Sequence, residues 1–140
     1  MTASSIIPGL VYNDAPAAIE WLCKAFGFKK HLVVLDNGVV HHAELTLGKA
    51  MVMLGSVKNG NAYSKLVRSP KELEFQSQSP YLVVDDPDSI YASAKRNCAH
   101  MVIDISDKDH GGRDFTCADL EGHLWSFGSY DPWAHPPQEG

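Results

Sequence analysis

The sequence predicts an α+β fold made of two βαβββ modules, and an internal repeat is the first observation behind this prediction. Residues 8–14 (PGLVYND) are echoed by residues 80–86 (PYLVVDD), seventy-two positions later. Gly55-Ser56 is likewise matched by Gly128-Ser129, at an offset of seventy-three. The second observation is that apolar runs, helix caps and turns follow in the same order in both halves. We therefore expect one duplicated module within a single domain that covers residues 1–140.

Module one is predicted over residues 5–57. It opens with a short apolar run at residues 6–12, which is typical of a buried strand. Asp14 or Asn13 then caps a helix that has Pro16 in its first turn and apolar residues at helical spacing up to Gly27. Three strands follow, over residues 29–35, 39–47 and 50–55. One helix covers only one face of such a sheet, so the other face must meet a second module or a ligand.

Module two is predicted over residues 79–133 and repeats this order. A strand covers residues 80–84, Asp85 or Asp86 caps the next helix, and that helix runs from Pro87 to about Asn97. Strands follow over residues 100–105, 113–118 and 124–130. The connecting loop, about residues 58–78, is polar and contains Asn59-Gly60-Asn61, and residues 134–140 form an irregular tail. A connection of this length is either functional or a solvated linker.

Composition and charge exclude several classes of partner. The chain carries 12 Lys and Arg against 17 Asp and Glu, for a net charge of −5 at pH 7. This acidic balance lacks the basic footprint of a nucleic-acid-binding protein. No apolar run approaches the ~20 residues of a membrane helix, so we expect no membrane partner. The three cysteines show no Cys-x-x-Cys spacing, which favours a reducing, cytoplasmic location.

Four segments carry a resemblance to a known family. They are residues 12–22 (YNDAPAAIEWL), 25–28 (AFGF), 42–45 (HAEL) and 119–128 (DLEGHLWSFG). With them the chain resembles the vicinal oxygen chelate superfamily, which includes glyoxalase I, extradiol dioxygenases, fosfomycin-resistance enzymes and bleomycin-binding resistance proteins. The last segment is the more specific one and is similar to the uncharacterised, PhnB-like members. The resemblance implies that the two modules form a cupped mixed sheet, with a cleft often completed across a homodimer.

The chemistry of that superfamily rests on a divalent metal ion, with one ligand near the start of the first strand and one in the last strand of each module. The resemblance places these positions at Ile7 and Met53 in module one, and at Ser79 and Ser126 in module two. None is an ordinary ligand for a hard divalent ion, because Ile has no lone pair, Met sulfur is soft and a Ser hydroxyl is weak. We therefore expect no metal and no other cofactor. The expected function is metal-independent binding of a small molecule, similar to the sequestering proteins of bleomycin resistance.

An enzymatic alternative rests on His42 and Glu44, which a period of two places on one face of the predicted strand. His41 then falls on the opposite face with Ala43 and Leu45. The pair is compatible with three roles: ordinary polar positions, contacts to a ligand, or acid–base and metal chemistry at a non-standard divalent site. The last role would make the chain a glyoxalase-like lyase or isomerase.

Further ligand-binding candidates follow from the resemblance and from side-chain chemistry. If the family's register holds, Met51, Met53 and Ser126 line the cup, where methionines suit irregular apolar or planar ligands. Tyr130 offers a ring for stacking on a planar ligand or for packing across a dimer. Arg113 is able to bind a carboxylate or phosphate, or to lie on the surface near Asp109 and Asp114.

Overall fold

The computed structural model describes residues 1–109 and 111–138, so the last two residues of the predicted tail lie outside the described residues. Module one contains strands β1 Gly9–Tyr12, β2 Lys29–Asp36, β3 Val39–Leu47 and β4 Ala50–Ser56, with helix α1 at Ala15–Phe26. The connecting segment contains the short helix α2, Pro70–Leu73. Module two contains strands β5 Tyr81–Val83, β6 His100–Asp107, β7 Arg113–Ala118 and β8 Leu124–Gly128, with helix α3 at Pro87–Arg96.

Each module forms its own four-stranded mixed sheet. The strand order is β1-β4-β3-β2 in the first sheet and β5-β8-β7-β6 in the second. In both sheets the first strand of the module runs parallel to the last, and the other neighbours are antiparallel. The predicted α+β fold with two βαβββ modules is confirmed. Within the described part of the chain, every helix is too short or too polar to cross a membrane.

The register of the strands confirms the internal repeat. Gly9 pairs with Met53 in the first sheet, and Tyr81 pairs with Ser126 in the second. Gly9 and Tyr81 are seventy-two positions apart and Met53 and Ser126 seventy-three, as the two sequence offsets require. The paired positions of the first and last strands therefore correspond between the two modules.

Both first strands begin later than predicted, because a proline precedes each of them. The carbonyl groups of Pro8 and Pro80 accept a hydrogen bond from the last strand of their module, at 2.9 and 3.1 Å. A proline has no N–H with which to continue the ladder. Strand β1 therefore begins at Gly9, and Ile6 and Ile7 are 92% and 38% exposed instead of buried in a strand.

Aspartate caps begin both main helices. The Asp14 carboxylate accepts the Ala17 N–H at 3.2 Å, and the Asp86 carboxylate accepts the Ser89 N–H at 3.2 Å. These contacts decide between the two predicted candidates at each cap. Helix α1 ends at Gly27, whose φ of 85° lies in the left-handed region that glycine adopts without steric strain.

The connecting segment has more local structure than a solvated linker. Besides α2 it contains 3₁₀ turns at Val57–Asn59 and Tyr63–Lys65. Strand β8 ends at Gly128, two residues short of the predicted end, and a 3₁₀ turn at Pro132–Ala134 follows it. The segment between the modules is therefore able to pack on the sheet and form part of a site.

One hydrophobic core joins the two modules. The Phe26 ring, at the end of α1, lies 5.4 Å from the Trp125 ring and 4.7 Å from the Phe127 ring of β8. Phe28 lies 5.6 Å from Trp125, and α1 also packs against α3. The helices cover the face of each sheet that carries Leu54 or Trp125, as alternation predicts. Neither α1 nor α3 covers the opposite face of its sheet.

We call these uncovered sides the first and second open faces. The first open face carries the side chains of Leu32, Val34, His42, Glu44, Thr46, Met51 and Met53. The second carries those of Tyr81, Val83, Asp114, Thr116 and Ser126. The three residues that the sequence places in the cup, Met51, Met53 and Ser126, all lie on these open faces.

Candidate functional site

Glu44 lies at the centre of the first open face, between apolar side chains. It is opposite Leu32 on β2 and opposite Met53 on β4. Leu32 and its neighbour Val34 are 44% and 45% exposed. Half-exposed apolar side chains around one carboxylate form a surface that suits an apolar ligand with a single polar group.

Two histidines flank the Glu44 carboxylate. His42 Nε2 lies 2.8 Å from one carboxylate oxygen, and His31 Nε2 lies 3.8 Å from the other. Alternation predicts the shared face of His42 and Glu44, and the structure confirms it. Alternation does not predict the approach of His31, which depends on a β-bulge: the pairing of β2 with β3 passes from Lys30 to Leu32 and skips His31.

A second bulge makes the prediction for His41 wrong. The sequence pattern places His41 on the packed face with Ala43, but the pairing with β2 passes from His42 to Val40 and leaves His41 out. Its side chain is exposed, and its Nδ1 lies 2.8 Å from the Asn59 side-chain oxygen. The Asn59 amide also donates to the His41 carbonyl at 2.9 Å, so this bulge attaches the connecting segment to β3.

A cavity of about 210 Å³ lies beside His42 at the edge of the first open face. Its walls come from β1, β3 and β4 and from the start of the connecting segment. Gly9, Met53 and Tyr63 are among the residues that line it. The sequence marks Asn59-Gly60-Asn61 as a turn, but no pattern of residues shows that this turn folds over the sheet.

The four positions equivalent to the superfamily's metal ligands do not fit a divalent ion. Met53 lies in β4 and Ser126 in β8, while Ile7 and Ser79 lie just before the first strands. The Ser126 hydroxyl is 2.7 Å from the Thr116 hydroxyl. A thioether, two neutral hydroxyls and an alkyl group are not a ligand set for a hard cation. Across residues 1–109 and 111–138, no group of three or more His, Cys, Asp or Glu side chains is placed to hold a metal ion.

Hydroxyl groups occupy the centre of the second open face. Thr116 is opposite Ser126, in the place that a carboxylate takes in module one. The Tyr81 hydroxyl donates to the Tyr130 carbonyl at 2.7 Å, and the Tyr130 ring stacks on His135 with 5.3 Å between ring centroids. The structure therefore places Tyr130 beside the tail, and its contact with a ligand stays a prediction.

Arg113 is held by carboxylates on the helix side of β7. Its Nε lies 2.9 Å from Asp88, and a terminal nitrogen lies 3.5 Å from Asp107. The hydrogen bond to Asp88 raises the pKa of the guanidinium. These contacts favour an ion-paired surface role for Arg113, with Asp88 and Asp107 as partners instead of the predicted Asp109 and Asp114. Its binding of a ligand anion stays a prediction.

The residues that carry the family resemblance most specifically act as an anchor between the modules. We call residues 119–123, between β7 and β8, the anchoring turn. The Asp119 carboxylate accepts the Tyr12 hydroxyl at 2.6 Å and the Trp125 indole N–H at 3.0 Å. His123 Nε2 donates to the Val11 carbonyl at 2.8 Å. Burial, and then the charge of Asp119, raises the pKa of Tyr12 well above its usual value.

Glu121 completes the anchoring turn. Its carboxylate accepts the backbone N–H groups of Asn13 and Asp14 at 2.7 and 2.8 Å, where β1 meets α1. The same carboxylate accepts the Ser69 hydroxyl at 2.5 Å. Glu121 therefore joins module one, module two and the connecting segment at one buried point.

The fold consists of two repeated modules, and one face of each sheet is left uncovered by the main helices. A model of the Glyoxalase/Bleomycin resistance protein/Dioxygenase superfamily matches residues 6–127. The chain belongs to this superfamily, which confirms the resemblance drawn from its sequence.

The curated relatives are uncharacterised mycobacterial proteins. One from Mycobacterium bovis is 30% identical over 125 residues, which cover 89% of this chain and 82% of the relative. One from Mycobacterium tuberculosis is also 30% identical over 125 residues, which cover 89% of this chain and 73% of the relative.

Solved structures share the fold over almost the whole chain. TioX from Micromonospora sp. ML1 has a TM-score of 0.68 and 30% identity, and the match covers 90% of this chain and 98% of TioX. The bleomycin-binding protein of the bleomycin-producing Streptomyces verticillus was solved with copper(II)-bleomycin. It has a TM-score of 0.65 and 17% identity, and the match covers 94% of this chain and 99% of that protein. At that identity the likeness shows the fold alone.

Proposed function

We propose that this protein is a metal-independent binding protein that sequesters a small, partly planar molecule, in the manner of bleomycin-resistance-type proteins. The first open face supports this function, because Glu44 and its two histidines lie among half-exposed apolar and methionine side chains. Such a surface suits a ligand with a planar body and one cationic or hydrogen-bonding group. The net charge of −5 favours a cationic ligand over an anionic one.

The observation that carries this proposal is the chemistry of the four ligand positions. Ile7, Met53, Ser79 and Ser126 offer an alkyl group, a soft thioether and two weakly coordinating hydroxyls, in place of the carboxylate and imidazole ligands that hold a divalent ion for a chelated substrate. Recognition of the ligand then depends on the shape of the surface, on methionine contacts and on the Glu44 carboxylate. The Streptomyces verticillus relative, described as a bleomycin-binding protein, is a precedent for binding within this fold.

Two measurements on the full chain test the proposal. Protein purified without chelators is analysed for metals, and we expect far less than one Mn, Fe, Ni or Zn per chain. Thermal unfolding is then followed against a panel of aromatic and cationic metabolites. At least one of them should raise Tm in proportion to the logarithm of its concentration. Near-stoichiometric metal, or a panel without any stabilising compound, would contradict the proposal.

We further propose that the protein is a cytoplasmic homodimer. Apolar side chains on both open faces stay half exposed, with Leu32, Val34 and Ile103 at 44%, 45% and 52%. A second copy would remove this surface from water. The free cysteines Cys23, Cys98 and Cys117 fit a reducing compartment. Sedimentation should give twice the chain mass, and a monomer at every concentration would contradict the dimer.

A lyase or isomerase is the second candidate, and the 2.8 Å contact between His42 and Glu44 favours it. A carboxylate that orients an imidazole is a common arrangement for a general base. The test is exchange of carbon-bound hydrogen in small α-hydroxycarbonyl compounds in heavy water. If the chain is an enzyme of this type, the substitution His42→Gln should lower the exchange rate at least about 100-fold. Absence of exchange with the native chain would remove this candidate.

A further inference from the structure

A difference between the modules at one pair of equivalent positions leaves room for part of the cavity. By strand register, Gly9 in β1 corresponds to Tyr81 in β5, and Gly55 corresponds to Gly128. In module two the Tyr81 side chain lies over Gly128, where an added Cβ atom would be 2.5 Å from the Tyr81 hydroxyl oxygen. In module one, Gly9 has no side chain to lie over Gly55. A Cβ atom added at Gly55 would lie 3.3 and 3.5 Å from the backbone carbonyl oxygens of Val40 and His41. The bulged part of β3 therefore takes part of the space that Tyr81 fills in module two, and the cavity takes the rest.

The cavity is large enough for one aromatic ring. Its volume is about 210 Å³. An apolar protein cavity of roughly 150 Å³ takes up benzene. Both Gly9 and Gly55 line the cavity, so two flat stretches of backbone form part of its wall. A planar ring packs closely against such a wall.

Tyr63 gives the cavity an aromatic wall from outside the sheet. An added Cβ atom at Gly9 would lie 3.6 Å from the Tyr63 hydroxyl oxygen, so the tyrosine reaches over β1. The Tyr63 side chain itself is 55% exposed. The backbone around it is held by Asn61, which accepts the Ser64 N–H at 2.8 Å and the Ser64 hydroxyl at 2.9 Å. An exposed ring on an ordered backbone is able to turn toward a ligand.

His42 gives the cavity a hydrogen-bond acceptor. Its Nε2 lies 2.8 Å from Glu44, and a carboxylate accepts, so the proton of the neutral ring is on Nε2. The other ring nitrogen, Nδ1, is then an acceptor and has no partner among residues 1–109 and 111–138. His42 lines the cavity and Glu44 does not. Glu44 therefore acts on a ligand there through His42.

We propose that this cavity binds a single planar ring bearing an N–H or O–H donor, with Tyr63 as its aromatic wall and His42 as its acceptor. Glu44 is the positioning residue that fixes the tautomer of His42. This inference rests on the proposed function, because it names the class of ligand group that the first open face takes.

Phenol and toluene are the probes for the first experiment, since they have similar rings and only phenol has a donor. Each is titrated into the ¹⁵N-labelled full chain. We expect phenol to shift the amide signals of Gly9, Gly55 and Tyr63 and to bind about tenfold more tightly than toluene. Equal binding of toluene, or phenol shifts confined to other parts of the chain, would overturn the proposal.

Variants of the wall make the second experiment. Gly9→Tyr places in module one the side chain that module two carries at the same register, and phenol binding should be lost. Should that variant not fold, Gly9→Ala narrows the cavity with only an ordinary contact to Tyr63, and binding should weaken severalfold. Tyr63→Ala should also weaken binding, whereas Tyr63→Phe should not. Leu66→Ala, an exposed position on the same segment outside this cavity, is the matched control.

Glu44→Gln tests the positioning role. An amide donates or accepts, so both tautomers of His42 become available. Long-range ¹H–¹⁵N spectra should show the Nε2–H form in the native chain and a mixture in Glu44→Gln, with severalfold weaker phenol binding. Weaker binding with an unchanged tautomer would mean that Glu44 does not act through His42.

The two proposals fail in different ways. A metabolite that raises Tm equally in the native chain and in Gly9→Tyr would leave the proposed function in place and overturn the role of the cavity. Stoichiometric metal in a chain that binds phenol at Gly9 and Tyr63 would overturn the proposed function and leave the cavity in place.

Discussion

The two open faces have the same backbone register and different side-chain chemistry. On the first, a carboxylate with two histidines lies at the centre, and a cavity opens beside it. On the second, the hydroxyls of Thr116 and Ser126 take the centre, and Tyr81 fills the place of the cavity. The two modules share the backbone that forms the core and differ in their outward side chains. The candidate recognition groups lie on the first module.

The turns that precede the last strand of each module also differ, but here module two carries the additional polar groups. Module one has a two-residue turn, Gly48-Lys49, between β3 and β4. Module two has the longer anchoring turn, whose Asp119 and Glu121 are buried and hydrogen bonded to module one. One module therefore carries the candidate binding groups, and the other carries the groups that fix the two modules together.

The largest expected effect is that of Asp119→Ala. It leaves the Tyr12 hydroxyl and the Trp125 indole N–H buried without their acceptor. Each buried donor that is left without an acceptor costs about 1–3 kcal/mol, so we expect the free energy of unfolding to fall by about 3–4 kcal/mol. Urea unfolding measures this. Lys49→Ala, in the module-one turn, is the control and should stay within about 0.5 kcal/mol.

Tyr81→Ala should make the second open face resemble the first. It removes the ring over Gly128 and a hydrogen bond to the Tyr130 carbonyl, so we expect a loss of about 1–2 kcal/mol in urea unfolding. Phenol should then shift the amide signals of Gly128 and Ser126, which it leaves unchanged in the native chain. Unchanged signals in the variant would show that an open position over the glycine is not sufficient for ring binding.

The aspartate caps of α1 and α3 should stabilise the two modules equally. Asp14 and Asp86 accept equivalent N–H groups at the same distance of 3.2 Å. Asp14→Ala and Asp86→Ala should therefore each lower the free energy of unfolding by about 1 kcal/mol. A difference of more than about 1 kcal/mol between the two variants in urea would contradict equal capping.

A further effect should appear only at alkaline pH and should arise in module two. Burial raises the pKa of Cys117 from 9.0 to about 12, whereas its counterpart in module one is Leu45. Above pH 9 the unfolded chain loses this proton and the folded chain keeps it. The free energy of unfolding is therefore unaffected by this thiol below pH 9 and falls as the pH rises toward 12. One such proton gives a slope of at most about 1.4 kcal/mol per pH unit. Urea midpoints between pH 8 and 10 should fall less steeply in Cys117→Ala than in the native chain, because both proteins keep the other groups with a raised pKa, such as Tyr12 and Cys23.

The sequence is sufficient for the elements of the fold, because caps, glycine ends and apolar alternation are local. It is not sufficient for the site, because two β-bulges decide on which face of the first sheet the side chains of His31 and His41 lie. A bulge depends on the partner strand, and the alternation of residues along one strand does not reveal it. Likewise, Asn59 reaches His41 across 18 positions, so the wall over the cavity depends on a contact that no local pattern encodes. The residues of the anchoring turn were visible as a family signature, but their structural role needed the contacts with Tyr12 and Asn13.

Phe26 belongs to module one and packs on Trp125 and Phe127 of module two. A protein with module one alone would have to pack this helix on the aromatic surface of a second molecule. Its folding would therefore depend on the concentration of that molecule in the cell. Joining two copies in one polypeptide replaces that encounter with a fixed local concentration. Folding then no longer depends on expression level, and the outward surface of either half is free to acquire a new specificity.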